Sequence, residues 1–113
     1  MKYIITESKL EKAIIHFLNK GYGDLIEYRT DKYPNSIFYM KDNKVFMEQN
    51  LKNGMLWVDY DTIWADLENW FSLGYDGIQS VITKWVEREY NIRGVTPMYQ
   101  NGMEYEKWIE LTT

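Results

Sequence analysis

The 113-residue chain sets 13 Lys+Arg against 17 Asp+Glu, a net charge of −4, and combines 45% hydrophobic with 17% aromatic residues and no cysteine. A chain of this size and apolarity can bury roughly two-thirds of its unfolded surface, which argues for one domain over residues 1–113 and against disorder. Without cysteine there is no disulfide framework, thiolate zinc site or cysteine nucleophile; no apolar run approaches the ~18 residues of a membrane span, and Tyr3-Ile4-Ile5 is far short of a signal peptide's apolar region, so a cytoplasmic protein with no membrane partner is expected.

The first periodic segment is helical. Leu10, Ala13, Ile14, Phe17 and Leu18 fall on one stripe, and two starts compete. Thr6 as N-cap pairs Ile5 with Leu10 as a hydrophobic staple, whereas Ser8 as N-cap forms a capping box with Glu11; the first is favoured, with Glu7 at the positive end of the helix dipole. Lys20 and Gly21 mark the expected end.

From Asp24 to Tyr60 the period changes to two. Asp24 to Arg29 reads as a strand, followed by a loop at Tyr33-Pro34-Asn35. Ser36 to Gln49 reads as a hairpin about Asp42-Asn43, because both residues tolerate positive φ. A two-residue turn places Met40 opposite Val45, Tyr39 opposite Phe46, Phe38 opposite Met47 and Ile37 opposite Glu48. After a connection at Asn50 to Gly54, Met55 to Asp59 reads as another strand of an antiparallel meander.

Two further helices follow. Ile63, Trp64, Leu67, Trp70 and Phe71 form the stripe of one, capped by Asp61 and stopped at Gly74; Ile78, Val81, Ile82, Trp85 and Val86 form the other, opened by Asp76 and closed near Asn91 to Gly94. The tail carries turn signals at Thr96-Pro97 and Asn101-Gly102, and Glu104 to Leu111 fits either a strand or a short helix. The expected fold class is α+β: an antiparallel meander sheet packed against about three helices in two layers.

Both faces of the hairpin are apolar. Phe38, Met40, Val45 and Met47 share one; Ile37, Tyr39 and Phe46 share the other, with Glu48 its only paired charge, and Trp57 and Tyr28 extend it if register allows. A sheet with one wet side should alternate apolar and polar residues. Helices on both sides, or the tail folded over the second, would explain the pattern; so would an oligomer or partner interface, where Tyr, Trp and Met are enriched, or a small-ligand pocket. Ile37, Tyr39, Phe46, Trp57 and Tyr28 are therefore the candidate binding residues of a protein-interaction or self-associating module. On that reading Tyr39→Glu or Phe46→Glu changes assembly and spares the fold. Stacked aromatics on a sheet also suggest nucleic acid, but an acidic chain with no Lys/Arg block longer than two lacks the phosphate-neutralising groove, and no nucleic-acid partner is expected.

No catalytic residue, metal or cofactor is assigned. Asp59, Asp61, Asp66 and Glu68 form an acidic group at a strand-to-helix junction, yet an EF-hand pattern fails after two positions, and Asp66 and Glu68 diverge by about 200° around a helix. They read as a capped helix with a solvated face. His16 is the single histidine and projects roughly 120° from the apolar stripe, without a readable nucleophile beside it. No glycine pattern matches a phosphate loop. The alternative function is a small-molecule site or small enzyme, an aromatic cleft with Asp59 or Asp61 as its polar element; a third is an acidic face that mimics nucleic acid to inhibit an enzyme.

The opening Met1-Lys2-Tyr3-Ile4-Ile5-Thr6-Glu7-Ser8-Lys9-Leu10 resembles the start of many small, uncharacterised proteins of bacteriophage and environmental origin. The resemblance implies a small protein in a phage or host cytoplasm that acts by binding another protein.

Overall fold

A computed structural model describes residues 7–112. The Thr6 cap, its Ile5 staple and the opening Met1 to Thr6 lie outside them.

Helix α1 spans Glu7–Tyr22 and buries Ile14, Ile15 and Leu18, leaving His16 exposed. It runs past Gly21 and stops at Gly23, whose N–H donates to the Asn19 carbonyl at 3.0 Å. A Cβ on Gly23 would lie 2.4 Å from that carbonyl oxygen, so this is where the chain needs a glycine. Strand β1 is only Ile26–Tyr28, shorter than the expected Asp24 to Arg29.

Strands β2 (Ser36–Lys41) and β3 (Lys44–Asn50) form the hairpin, with Asp42 at φ 52° and Asn43 at φ 60°, the pair of left-handed residues that a two-residue turn requires. Met40 faces Val45 as the turn dictates. Beyond that pair the register shifts: Tyr39 faces Met47, Phe38 faces Glu48 and Ile37 faces Gln49. Phe46 is the extra residue of a β-bulge, and every side chain after it moves to the opposite face. Met47 therefore joins Ile37 and Tyr39 on one side, and Glu48 joins Phe38, Met40 and Val45 on the other.

Strand β4 (Met55–Asp59) completes an antiparallel run, but the sheet is mixed: β5 (Thr96–Gln100) lies parallel to β4, in the order β1-β2-β3-β4-β5. This corrects the all-antiparallel meander and the turn expected at Thr96-Pro97. Pro97 sits in an edge strand opposite Leu56, where a missing N–H can be tolerated. The parallel pair needs a long crossover, which a π-helical turn (Tyr60–Trp64), α2 (Ala65–Phe71) and α3 (Tyr75–Glu89) provide. The turn begins after Asp59 rather than at an Asp61 cap, and Ser72, at φ 52°, ends α2 before Gly74.

The last element is helical: α4 spans Glu106–Leu111. Among the described residues helices thus lie on both faces, four of them besides the π-turn, in place of about three on one side. On one face Ile14, Leu18, Leu67, Ile78, Ile82 and Trp85 pack against Ile37, Tyr39, Met47, Leu56 and Val58. On the other, Trp108 of α4 packs with Phe38 and Val45, flanked by Met40, Trp57 and Tyr105.

Polar ties cross both layers. The Trp85 indole donates to Asn19 Oδ1 at 2.8 Å, and the Tyr90 hydroxyl donates to the Tyr22 carbonyl and accepts the Leu25 N–H at 3.1 Å. On the α4 side, Glu48 is fully buried and accepts from Ser36 Oγ at 2.7 Å, Lys107 Nζ at 2.8 Å and Trp108 Nε1 at 2.9 Å. Among the described residues no helix is long and apolar enough to cross a membrane.

Candidate functional site

The carboxyl ends of β4 and β5 lie side by side, and their chains leave in opposite directions. After Asp59 the π-turn climbs onto the α1–α3 face, whereas after Gln100 the loop crosses to α4 on the other face. Neighbouring parallel strands whose exits diverge leave a crevice between them, the usual ligand position in open sheets of parallel strands. Two clefts lie at these strand ends, one reached by Asn101 and the other by Gly102.

The cleft on the α4 side encloses about 500 Å³ and is lined by Lys44, Asp59, Asp61, Gly102, Trp108 and Ile109, among others. Its buried acid is already engaged. Asp59, 1% exposed, accepts from Thr62 Oγ1 at 2.9 Å and from the Gly102 N–H at 3.4 Å, and pairs with Lys44 Nζ at 3.3 Å. It fastens the π-turn, the hairpin and the exit of β5 to one point. A Cβ on Gly102 would stand 2.9 Å from both Asp59 Oδ1 and Trp108 Cε3. Gly102→Ala is therefore expected to push carboxylate and indole apart and destabilise the fold by about 1–3 kcal/mol, read as a lower urea midpoint; an unchanged midpoint would contradict this close packing.

The cleft on the other side encloses about 540 Å³ and is lined chiefly by Tyr60, Trp64, Glu68, Tyr75 and Tyr99, with Asn101 at its rim. The π-turn contributes two of these, since Ala65 N–H reaches back to the Tyr60 carbonyl and widens the coil by one residue. Trp64 is buried at 1% exposure, while Tyr60 remains beside the opening. Tyr75 opens α3, and Tyr99 stands on β5 opposite Val58. Ring centroids lie 5.4 Å apart for Tyr60–Tyr99 and Trp64–Tyr99, 5.5 Å for Trp64–Tyr75 and 6.4 Å for Tyr75–Tyr99. The planes are inclined by 51° to 84°, so no pair is stacked face to face. The Tyr75 hydroxyl is held by Met98 Sδ at 2.8 Å and by Gln79 Nε2 at 3.3 Å.

Glu68 is the one charged side chain in this lining among the described residues. It accepts the Tyr60 hydroxyl at 3.4 Å and, among the described residues, has no ion-pair partner. Its negative charge, with some loss of hydration, holds the Tyr60 phenol above its ordinary pKa.

The five sequence-derived candidates do not meet on one face. Ile37 and Tyr39, each 5% exposed, belong to the core beneath α1–α3, and Phe46 packs half-buried against the same core and the Tyr22 ring. Trp57 lies on the opposite face beside Trp108, and Tyr28, 44% exposed, stands on β1 opposite Phe38. The acidic group disperses as well. Asp59 and Asp61 line one cleft and Glu68 the other, while Asp66 accepts the Tyr22 hydroxyl; among the described residues no three His, Asp or Glu converge on a metal position. Tyr60, Tyr75 and Tyr99 went unread because nothing local joins them, although a tyrosine at each end of a strand–helix–helix–strand crossover is a signal that the parallel pairing makes legible.

No protein family, curated protein or solved structure matches this chain. Fold and cleft together define a mixed-sheet α+β protein with an aromatic crevice at the end of the parallel β4–β5 pair.

Proposed function

We propose that this protein binds a small organic molecule in the aromatic cleft at the carboxyl ends of β4 and β5. What supports the reading is the convergence of four aromatic residues from the π-turn, α3 and β5 on one opening of about 540 Å³, within the 300–1,000 Å³ typical of small-molecule sites. Packing alone would bury such rings, yet Tyr60, Tyr75 and Tyr99 stay 36%, 42% and 50% exposed around a buried Trp64. Glu68, already hydrogen-bonded to the Tyr60 hydroxyl, is the anionic group of the lining among the described residues, and binding is the activity proposed. A cytoplasmic site of action belongs to the same proposal and rests on the absence of cysteine.

The test is a set of small neutral and charged fragments titrated into the protein and followed by amide NMR. Saturable shifts should concentrate at Tyr60, Trp64, Tyr99 and Asn101. A set that leaves those amides unmoved overturns the proposal.

A second reading, association with another copy or a protein partner, draws on the outer strand, where Ile26 and Tyr28 are 70% and 44% exposed on the face that α4 covers only in part. Tyr28→Glu should then lower the sedimenting mass. Tyr39→Glu would instead unfold the protein, because its side chain lies in the core.

A further inference from the structure

We infer that the ligand of the aromatic cleft is an alkylated ammonium cation, a quaternary nitrogen carried by a small molecule. The inference rests on the small-molecule reading above and names the chemistry that the cleft selects. Aromatic rings present negative faces, and Tyr60, Tyr75 and Tyr99 border an opening above the buried Trp64, with no Lys, Arg or His in its lining among the described residues. The one charge added to those rings is the Glu68 carboxylate, which has no ion-pair partner among the described residues and is exposed beside the opening. Rings and carboxylate therefore attract the same sign of charge, and an anionic ligand would meet repulsion from both.

The same lining argues against a metal ion. Calcium takes six to eight oxygen ligands and magnesium an octahedron, whereas this cleft brings one carboxylate with phenol and amide groups. It also argues against a bare primary ammonium, which is strongly hydrated and carries three N–H donors. Glu68 and the rim amides are too few to replace that hydration beside three tyrosine rings. A methylated nitrogen has no such donors, keeps its positive charge and presents methyl groups that pack on ring faces.

Choline, its neutral isostere 3,3-dimethylbutan-1-ol, and a short peptide bearing trimethyllysine, each titrated at constant ionic strength into the intact protein, test the assignment by amide NMR. Choline should shift the Tyr60, Trp64 and Tyr99 amides saturably and bind about tenfold more tightly than the isostere. Tyr99→Ala and Glu68→Gln, both at exposed positions, should each weaken choline several-fold with an unchanged amide spectrum elsewhere. Equal binding of choline and its isostere would overturn the cation assignment and leave the small-molecule site standing. So would a cleft that takes other fragments but not choline. Silence of the cleft toward every compound would remove both. Tight binding of the trimethyllysine peptide with weak binding of choline would overturn a free small molecule as the source of the cation.

Discussion

Glu48→Ala is expected to lower stability by about 3–5 kcal/mol and to release α4 from the sheet. The carboxylate is fully buried and accepts from three donors on two elements: Ser36 of β2, and Lys107 and Trp108 of α4. Removing one partner of a buried pair leaves the other charge without compensation, and here an indole N–H and a hydroxyl lose their acceptor as well. Lys107, whose side chain is 22% exposed, can swing toward water, but Trp108 at 2% cannot do so without leaving Phe38 and Val45. The loss is a large part of the ~5–15 kcal/mol that holds a domain of this size. Urea unfolding followed by the Trp108 indole N–H resonance and by proteolysis between Gln100 and Glu106 should show α4 opening before the rest. Glu48→Gln, which keeps one acceptor oxygen, should fall between the two. Replacing Glu48 and Lys107 together with Met should recover much of the loss, since apolar residues of similar volume often substitute for a buried ion pair. A Glu48→Ala protein within ~0.5 kcal/mol of the parent would show that α4 is held by Trp108 packing alone.

The same carboxylate shows where sequence reading succeeds and where it stops. Asp42-Asn43 announces its turn because the need for positive φ is local, and Met40 opposite Val45 follows directly. The inserted Phe46 does not announce itself. Phe, Val and Met all suit a strand, so the alternation still looks intact while its face has changed. One bulge turns Glu48 from a solvent-facing charge into the buried centre of the α4 contact and places Met47 with Ile37 and Tyr39. That explains why both hairpin faces looked too apolar: each is covered by the chain's own helices, one by α1–α3 and the other by α4. Pro97 misleads in a similar way, since a turn residue on an edge strand is locally indistinguishable from a turn. The aromatic cleft depends on that strand. Without the parallel β4–β5 pairing, Tyr99 has no reason to meet Tyr60 and Tyr75.

Alkaline unfolding is the second large effect expected. Loss of hydration is the leading reason that the Tyr39 phenol is pushed up to about 12 and that Tyr22 and Tyr90 also lie above their ordinary range; Tyr22 is raised further by its bond to Asp66. Burial works against the Lys107 ammonium, yet its contacts with Glu48 leave it raised. All four groups hold their protons more tightly folded than unfolded. Between the unfolded and folded pKa values the unfolded chain therefore carries fewer protons, and stability falls with rising pH. These contributions are complete below pH ~10, the ordinary tyrosine value, and are lost as pH climbs through the raised ones. Tyrosine absorbance and far-ultraviolet circular dichroism, followed together, read this directly. The Tyr22, Tyr39 and Tyr90 phenols should ionise in a steep step that coincides with loss of secondary structure. Tyr39→Phe separates the causes: it removes the hydroxyl that donates to Gln49 Oε1 at 3.2 Å, lowering neutral-pH stability by about 1 kcal/mol, but it also removes the ionisable group and should flatten the alkaline slope. Absorbance that rises smoothly near pH ~10 with no change in circular dichroism would contradict a part-buried phenol network of Tyr22, Tyr39 and Tyr90.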